Sequence, residues 1–333
     1  MVGNRRLPSF YRVDAGLRVT SAPAKTGDAD TAFRKQGLSP ILPIFAFQPR
    51  EGRACAADWH MAVLRRLEKL RRFLRWRIGP RDALPVRWHV GRPNFGDDIN
   101  PSLFGRIHGR SVRFASDPRQ PHVLGAGSIL EHATSASVVC GSGLLFPPTV
   151  TVRAREIVAV RGALSAESCG SHADILLGDP LVLIDAFVGP TEPRHRYGFV
   201  PHVTSVAHWR RCAARGRHII DPAWSPWRTV AEIAACETIF SQSLHGLIVA
   251  DALGIPNVWV APSDGMSGGR FKFDDYFSTL ERGKEAVREG PDMFRAPERY
   301  DAEIGRYRFC KRRLREALAA ACDRVRRPGG SLG

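Results

Sequence analysis

The sequence lacks a long apolar run. Its longest apolar segments, such as Leu244 to Leu253, are shorter than the roughly 20 residues that a helix needs to cross a bilayer. The first residues, Met1 to Pro8, contain arginines but no apolar stretch behind them, so they do not resemble a secretory signal peptide. We therefore expect a cytoplasmic protein.

The sequence also lacks any Cys-x-x-Cys pair, and its seven cysteines are odd in number and scattered. Neither a zinc ribbon nor a thioredoxin-like redox site is indicated, and we find no convincing metal-ligating cluster. Several cysteines stand in apolar surroundings, as Cys140 does after Val138 and Val139, where a free cysteine behaves as a small hydrophobic residue. This usage favours a reducing compartment.

The basic charge is unevenly distributed. The chain carries a net charge of +16, and residues 1–90 account for +11 of it, with 18 Lys and Arg against 7 Asp and Glu. An enzyme acting on nucleic acid is expected to carry its basic groove on the folded body. Interleaved aromatic and basic residues, typical of single-strand binding, are missing as well. We therefore expect no nucleic-acid partner.

The N-terminal part of the chain divides into two segments. Residues 1–57 show no sustained periodicity, which predicts a disordered extension. Residues 58–84 predict a basic amphipathic helix and a linker, because apolar residues recur at helical spacing among seven arginines and lysines. The apolar stripe consists of Val63, Leu67, Leu70, Leu74 and Ile78. The helix either packs on the folded domain or contacts the anionic inner face of the cytoplasmic membrane.

From Pro85 onward, short apolar strands alternate with helices, which predicts parallel sheets in an α/β fold. The predicted strands are Val86–Val90, His122–Gly125, Ser137–Cys140, Ile157–Val160 and Ile175–Gly178, then Gly198–His202, His218–Asp221, Thr238–Ser241 and Asn257–Ala261. The predicted helices are Ile99–His108, Ala163–Cys169, Trp227–Cys236, Leu244–Leu253 and Phe273–Glu281. We predict one half over residues 85–190, a second over 191–296, and a C-terminal helix and tail over 297–333. That helix, roughly Pro297–Arg327, is expected to pack back across the first half.

Polar residues follow several of these strands, at the edge where open α/β sheets bind ligands. After the first strand, Asn94 and Asp97 offer polar atoms and Gly96 permits a close backbone approach. The alternative is a plain capped turn, with Asp98 or Asn100 as the helix N-cap.

Two glycine-serine segments, Gly125-Ala126-Gly127-Ser128 and Cys140-Gly141-Ser142-Gly143, could cradle an anion with backbone N–H groups. They are not a dinucleotide fingerprint, since Leu130 stands in place of the third glycine.

Two later strands end in residues that suit an anionic ligand. Arg161 follows a strand and could bind a phosphate or carboxylate in bidentate fashion, although a surface arginine in a helix cap is equally consistent. Ser241, Ser243 and His245 lie where a strand ends and an apolar helix begins, and a helix start favours anions. A lone histidine is more often structural, but one beside an anion site is a candidate acid or base.

Taken in order, these segments resemble the polysaccharide pyruvyltransferase family. The resemblance rests on Asn-x-Gly-Asp at 94–97, Arg-Gly-x-Leu-Ser at 161–165, Gly-Asp-Pro at 178–180 and Ser-x-Ser-Leu-His-Gly-Leu-Ile at 241–248, and covers about residues 86–282. Residues 269–276 are similar to the branch that adds ketals to bacterial exopolysaccharides. One departure is Ser243, where many members carry an arginine.

The resemblance implies two Rossmann-like halves facing a cleft, as in GT-B glycosyltransferases. It implies phosphoenolpyruvate as donor and co-substrate, a lipid-linked oligosaccharide or polysaccharide as acceptor, and no metal or redox cofactor. On that basis Arg161, Lys272, Ser241 and Ser243 are expected to bind the donor, with Lys272 standing in for the missing arginine. His245 is expected to act as general acid, and Asp97 as base. Asn94, Gly96 and Asp97 are expected on the acceptor side.

Two other functions remain compatible with the sequence. A GT-B glycosyltransferase that uses a nucleotide sugar would share the fold and the position of the site at the strand ends. A non-catalytic carbohydrate- or lipid-binding module would be favoured only by Ser243 in place of arginine.

Overall fold

A computed structural model describes residues 82–326 except 150, 171–173, 214–215 and 264–265, together with scattered positions between 63 and 80. The chain divides into Met1–Pro49 and Arg50–Gly333, and every described residue lies in the second part. The prediction of disorder for residues 1–57 therefore lies outside the described residues, as does most of the helix over residues 58–78.

At the described positions of that helix the backbone is helical, and Leu67 and Leu74 of the predicted stripe are 56% and 43% exposed. The two alternatives for the stripe, packing on the domain and contact with a lipid surface, both stay predictions. Within the described residues, we find no helix with the length and apolar composition that a membrane crossing requires.

The first half contains a six-stranded parallel sheet in the order β2-β1-β3-β4-β5-β6. Its strands are β1 (Leu84–Arg87), β2 (Val112–Phe114), β3 (His122–Leu124), β4 (Ser137–Ser142), β5 (Glu156–Val160) and β6 (Leu176–Leu177). The central strand β4 is buried along its whole length, as expected for a parallel sheet covered on both faces.

The second half contains a four-stranded parallel sheet in the order β10-β9-β7-β8. Its strands are β7 (His195–Val200), β8 (His218–Ile219), β9 (Cys236–Ser241) and β10 (Asn257–Trp259). Residues 188–194 lead into β7 without regular secondary structure. The predicted α/β fold with two parallel-sheet halves is confirmed, whereas the likeness to GT-B enzymes stays a prediction.

The helices of the described residues lie between and after these strands. They are α1 (Phe95–Asp98), α2 (Asn100–His108), α3 (Ala163–Ala166), α4 (Val206–Cys212), α5 (Pro226–Ala234), α6 (Leu244–Ala252), α7 (Phe271–Phe277), α8 (Pro291–Arg295) and α9 (Lys311–Arg326). A longer 3-10 helix, Pro180–Phe187, follows β6. The sequence prediction missed β2, α1, α4, α8 and this 3-10 helix. Arg113 interrupts the apolar run of β2, the three helices are too short to show a clear period, and the 3-10 helix is almost uniformly apolar.

The last helix packs back across the first half, as predicted. α9 lies against β1, β3, β4, β5 and α2, and it buries Leu314, Leu318, Ala321, Cys322 and Val325 at helical spacing. Its predicted start at Pro297 is wrong. Pro297–Arg299 is a 3-10 turn, and Glu303 then pairs in antiparallel fashion with Asn257, so the chain stays extended until Lys311.

A buried ion pair connects the two halves. Nε of Arg161, directly after β5, donates to Oδ2 of Asp275 in α7 at 2.9 Å, and both side chains are almost fully buried. Nη1 of Arg161 donates to Oγ of Ser128 at 2.8 Å, and Nη2 donates to the Leu144 carbonyl. Asp275 also accepts from the backbone N–H of Ser165 at 2.8 Å and from its hydroxyl at 2.6 Å. The pair therefore binds α7 to three loops of the first sheet.

Removing Asp275 should destabilise the protein strongly, because it leaves the Arg161 guanidinium buried without a counter-charge. We expect Asp275→Ala to lower the free energy of unfolding by about 3–5 kcal/mol in urea titrations. The matched control is Asp274→Ala in the same helix, because Asp274 forms an exposed pair with Arg270 at 2.9 Å. That change should cost no more than about 0.5 kcal/mol. Similar losses for both variants would contradict the structural role of the buried pair.

Candidate active site

The loop from β1 to α1 holds Asp97 in a defined position. Asn94 is the N-cap of α1, since its Oδ1 accepts from the Gly96 N–H at 3.3 Å. The other end of its amide, Nδ2, donates to Oδ2 of Asp97 at 2.9 Å. Asp97 is only 8% exposed. The cap of α1 is therefore Asn94. For the following helix, α2, the sequence suggested Asp98 or Asn100 as N-cap, and this is wrong, since the N-cap is Ile99 and makes no side-chain cap bond.

The side-chain amide of Asn100 joins the glycine segment after β3 to the segment that holds Asp97. Its buried amide donates to the carbonyls of Asp97 and Ala126, each at 3.0 Å, and accepts from the Ala126 N–H at 2.7 Å. Gly127 has a positive φ of 116°, and a Cβ there would lie 3.0 Å from Oδ1 of Asp97. The N–H of Gly143 donates to the Gly127 carbonyl at 2.9 Å, so it is already used within the protein.

The turn from β9 to α6 is closed by its own serines. Ser243 is the N-cap of α6, and its Oγ accepts from the Gly246 N–H at 3.4 Å. Oγ of Ser241 accepts from the Ser243 N–H at 3.2 Å and donates to the Ser243 carbonyl at 2.8 Å. Ser241 is fully buried and Ser243 nearly so. The donor contacts predicted for these two hydroxyls stay predictions.

His245 lies in the first turn of α6 and meets the β1–α1 loop from the other half. Its ring packs so closely on the backbone of Gly96 that a Cβ at this position would overlap it. Phe95 holds the ring in an edge-to-face contact, with centroids 6.1 Å apart. The backbone N–H of Phe95 in turn donates to the Pro222 carbonyl at 2.7 Å. The structure thus brings together two predicted elements, the helix start and the Asn-x-Gly-Asp loop, from opposite halves.

The charge state of His245 follows from its surroundings. Burial lowers the pKa of the ring most, the carboxylates of Asp97 and Asp179 raise it, and the cations Lys272 and Arg161 lower it. The net shift is downward from the ordinary value, so the imidazole is neutral at neutral pH. A neutral ring can accept a proton, and it can donate one only after an anion nearby has raised its pKa.

The two predicted cations differ in accessibility. Lys272, in the first turn of α7, has a pKa lowered to about 8 by burial and by Arg161, with Asp97 acting in the opposite direction. It remains charged at neutral pH. Arg161 is 0% exposed and donates to Asp275, Ser128 and Leu144, so its guanidinium is engaged in holding α7. Its predicted role in donor binding is untested, and Lys272 is better placed to contact a ligand.

Sequence reasoning missed two residues near this site. Asp179 of the Gly-Asp-Pro segment is fully buried, and its pKa is raised by burial, which outweighs the opposing effect of His245. Oδ1 of Asp179 accepts from the Leu181 N–H at 3.0 Å, whereas Oδ2 is buried without a hydrogen-bond partner. His202, just after β7, has a pKa of about 4 because of burial and the cations Lys272 and Arg92. His202 could have been identified from the sequence, because it lies at the end of a predicted strand.

The electrostatic coupling between Asp97 and His245 can be measured directly. Because the Asp97 carboxylate raises the pKa of His245, Asp97→Asn should lower that pKa further. The shift is read from an NMR titration of the imidazole protons, assigned with His245→Gln. As a control we choose Asp301→Asn, which removes an exposed carboxylate of the C-terminal segment. An unchanged pKa in Asp97→Asn would mean that the two groups are not coupled.

The fold and the site define an α/β protein with two parallel sheets. Titratable side chains, among them Asp97, His245 and Lys272, are grouped near the carboxyl ends of the strands. Residues 151–264 match the family model described as polysaccharide pyruvyl transferase. This segment is therefore similar to the polysaccharide pyruvyl transferase family. The matched segment runs from before β5 to beyond β10 and includes Arg161, Asp179 and His245.

The chain is also similar to two proteins by sequence and to one solved structure. The succinoglycan biosynthesis protein ExoV of Rhizobium meliloti is 30% identical over 209 residues, which cover 59% of this chain and 64% of ExoV, slightly less than two thirds of its length. An uncharacterised protein of Acanthamoeba polyphaga mimivirus is 29% identical over 60% of this chain and 75% of its own length. A solved structure from Klebsiella pneumoniae, also functionally uncharacterised, aligns with 11% identity and a TM-score of 0.38 over 71% of this chain and all of that chain.

Proposed function

We propose that the protein transfers pyruvate from phosphoenolpyruvate to two hydroxyls of a sugar, forming a ketal during bacterial exopolysaccharide or cell-surface polysaccharide biosynthesis. The observation that carries the proposal is the packing of His245 on Gly96 beside Asp97, with Lys272 close enough to shift the pKa of His245. The match of residues 151–264 to the pyruvyl transferase family model and the similarity to a succinoglycan biosynthesis protein support it.

The donor is an anion with a phosphate and a carboxylate, so its site must supply positive charge. Lys272 is the cation that we assign to it, because its lowered pKa shows that it is partly desolvated while still charged at neutral pH. The N-terminus of α6, beside His245, adds the partial positive charge of its helix dipole. Arg161 contributes long-range positive potential here, since it affects both Lys272 and His245 from its buried position.

The transfer requires one protonation and two attacks at the same carbon. Protonation of the methylene carbon of phosphoenolpyruvate leaves an oxocarbenium-like carbon, and the first sugar hydroxyl attacks it and loses its proton. The bond to the phosphate oxygen then breaks, and the second hydroxyl attacks the same carbon. The two sugar hydroxyls together release two protons. This number equals the one proton added to the methylene carbon and the one that leaves with the phosphate. The site therefore needs an acid, a base and a cation.

His245 and Asp97 supply the acid and the base in this proposal. The imidazole is neutral in the free protein because burial and two cations lower its pKa. A bound anion offsets those cations and raises the pKa of His245, so the ring gains its proton when the donor arrives. Asp97, oriented by Asn94, accepts a proton from the sugar hydroxyl, and Asn94 and Gly96 lie on the acceptor side.

The acceptor is proposed to be a lipid-linked oligosaccharide or polysaccharide. The basic N-terminal segment, with seven arginines and lysines between residues 58 and 78, suits transient contact with an anionic membrane where such an acceptor is held. On this proposal the enzyme works in the cytoplasm, at the inner face of the membrane. No further cofactor is needed for the steps above.

Replacement of His245 should abolish most turnover. We expect His245→Ala to lose at least about 100-fold in phosphate release from phosphoenolpyruvate with acceptor present, the usual contribution of general acid–base catalysis. Because the ring packs at a helix start and not in the apolar core, the melting temperature should remain that of the wild type. His132→Ala, at an exposed histidine of the first half, is the control. Near-normal turnover in His245→Ala, or turnover only with nucleotide sugars, would overturn the proposal.

Donor affinity should depend on the charge of Lys272. Calorimetry at pH 7 should show phosphoenolpyruvate binding weakened about 10- to 100-fold in Lys272→Met, equivalent to the roughly 1.5–3 kcal/mol of a charge-assisted contact. Wild-type affinity should fall as the pH rises above about 8, because the ammonium loses its proton there. Lys272→Met should lack this pH dependence. The control is Lys311→Met, since Lys311 lies beside Ala252 at the far end of α6. Unchanged donor affinity would remove Lys272 from the donor site.

A further inference from the structure

Three potential metal ligands meet at the opposite end of the second sheet from the candidate active site. His195 is the first residue of β7, His218 is the first residue of β8, and Glu232 lies in α5. Because β7 and β8 are parallel neighbours, their amino ends lie at one edge of the sheet. The candidate active site uses the carboxyl ends, so this cluster is separate from the proposed transfer.

The geometry of the three side chains is unusual for groups that only pack. The imidazole rings of His195 and His218 are stacked with centroids 3.7 Å apart and planes within 8° of parallel. Nε2 of His218 lies 3.1 Å from Oε2 of Glu232, but it is buried and makes no hydrogen bond of acceptable geometry. One nitrogen or oxygen from each of the three residues lies within 4.8 Å of the other two, and all three residues are half-buried.

Two imidazoles and one carboxylate are a ligand set that zinc accepts, with a fourth position left to water. Zinc–ligand bonds of about 2.0–2.1 Å place tetrahedral ligand atoms about 3.3 Å apart, so the largest separation of 4.8 Å must contract by up to about 1.5 Å. Half-buried side chains can make such an adjustment by small rotations. Arg194 lies 3.7 Å from the Glu232 carboxylate but is 64% exposed, so it can leave when a cation arrives.

We propose that His195, His218 and Glu232 bind a zinc ion that connects β7, β8 and α5 at the amino end of the second sheet. The ion would replace the poorly aligned contact between Nε2 of His218 and Glu232 with two metal bonds, and it would join two strands to the helix that covers them. Its expected effect is on stability, because a ligand that binds only the folded state favours that state. The proposal does not depend on the transfer activity.

The test uses the full chain after removal of metal by a chelator. Titration with zinc chloride should show one tight equivalent by calorimetry and a rise in melting temperature. His195→Gln, His218→Gln and Glu232→Gln should each weaken binding by at least about 100-fold, since even loss of an outer-shell partner costs about 10- to 100-fold. Circular dichroism in chelator confirms that each variant is folded. His132→Gln, which removes a histidine from the exposed His132–Glu131 pair at 3.9 Å, should bind zinc normally.

A second measurement decides the case if the variants fail to fold. Cobalt bound to the wild-type protein should give a tetrahedral visible spectrum without a thiolate charge-transfer band, because the proposed ligands are nitrogen and oxygen. Cys212 lies 3.6 Å from Nε2 of His208 and is the rival for soft metals. A thiolate band, loss of binding in Cys212→Ser, or no binding at all would overturn the proposal.

Discussion

The buried contact between Arg161 and Asp275 is the interaction on which the arrangement of the site depends. Arg161 directly follows β5 in the first half, and Asp275 belongs to α7, 114 residues further along the chain. A buried pair is costly unless every polar atom is satisfied, and here Ser128, Leu144 and Ser165 complete the bonds. Since Lys272 lies one turn before Asp275, the pair also sets the position of the lysine that we assign to the donor.

The part of the site around His245 is positioned by contacts between the two halves of the fold. Gly96 lets the ring of His245 approach the loop after β1, and a larger residue there would push α6 away. The backbone bond from Phe95 to Pro222 and the bond from Trp227 Nε1 to Oγ of Ser102, at 3.0 Å, join the halves beside it. The acid–base pair is thus assembled across the two sheets, which explains how groups far apart in sequence affect one another's pKa.

The electrostatics of the site favour a reaction that begins with anion binding. Burial lowers the pKa of His245 and Lys272 and raises that of Asp179, so each group is held toward its uncharged form. An arriving anion would raise the pKa of both bases. Lys272 is already charged at neutral pH, so the proton gained on binding is that of His245. The protonation state of His245 would thus depend on whether an anion is bound, as the proposed transfer requires of its acid.

Much of the fold could be read from the sequence because it is encoded locally. Nine of the ten strands in the described residues lie where short apolar runs predicted them, and β2 was missed because Arg113 interrupts the apolar run of Val112–Phe114. The sequence alone also indicated His245, Asp97 and Gly96 as candidate site residues. Each follows a predicted strand, where open α/β sheets bind their ligands. It did not reveal that Ser241 closes a turn, that Asp179 is buried, or that His195, His218 and Glu232 converge. Those facts depend on partners distant along the chain, and only the packing of strands and helices brings such partners together.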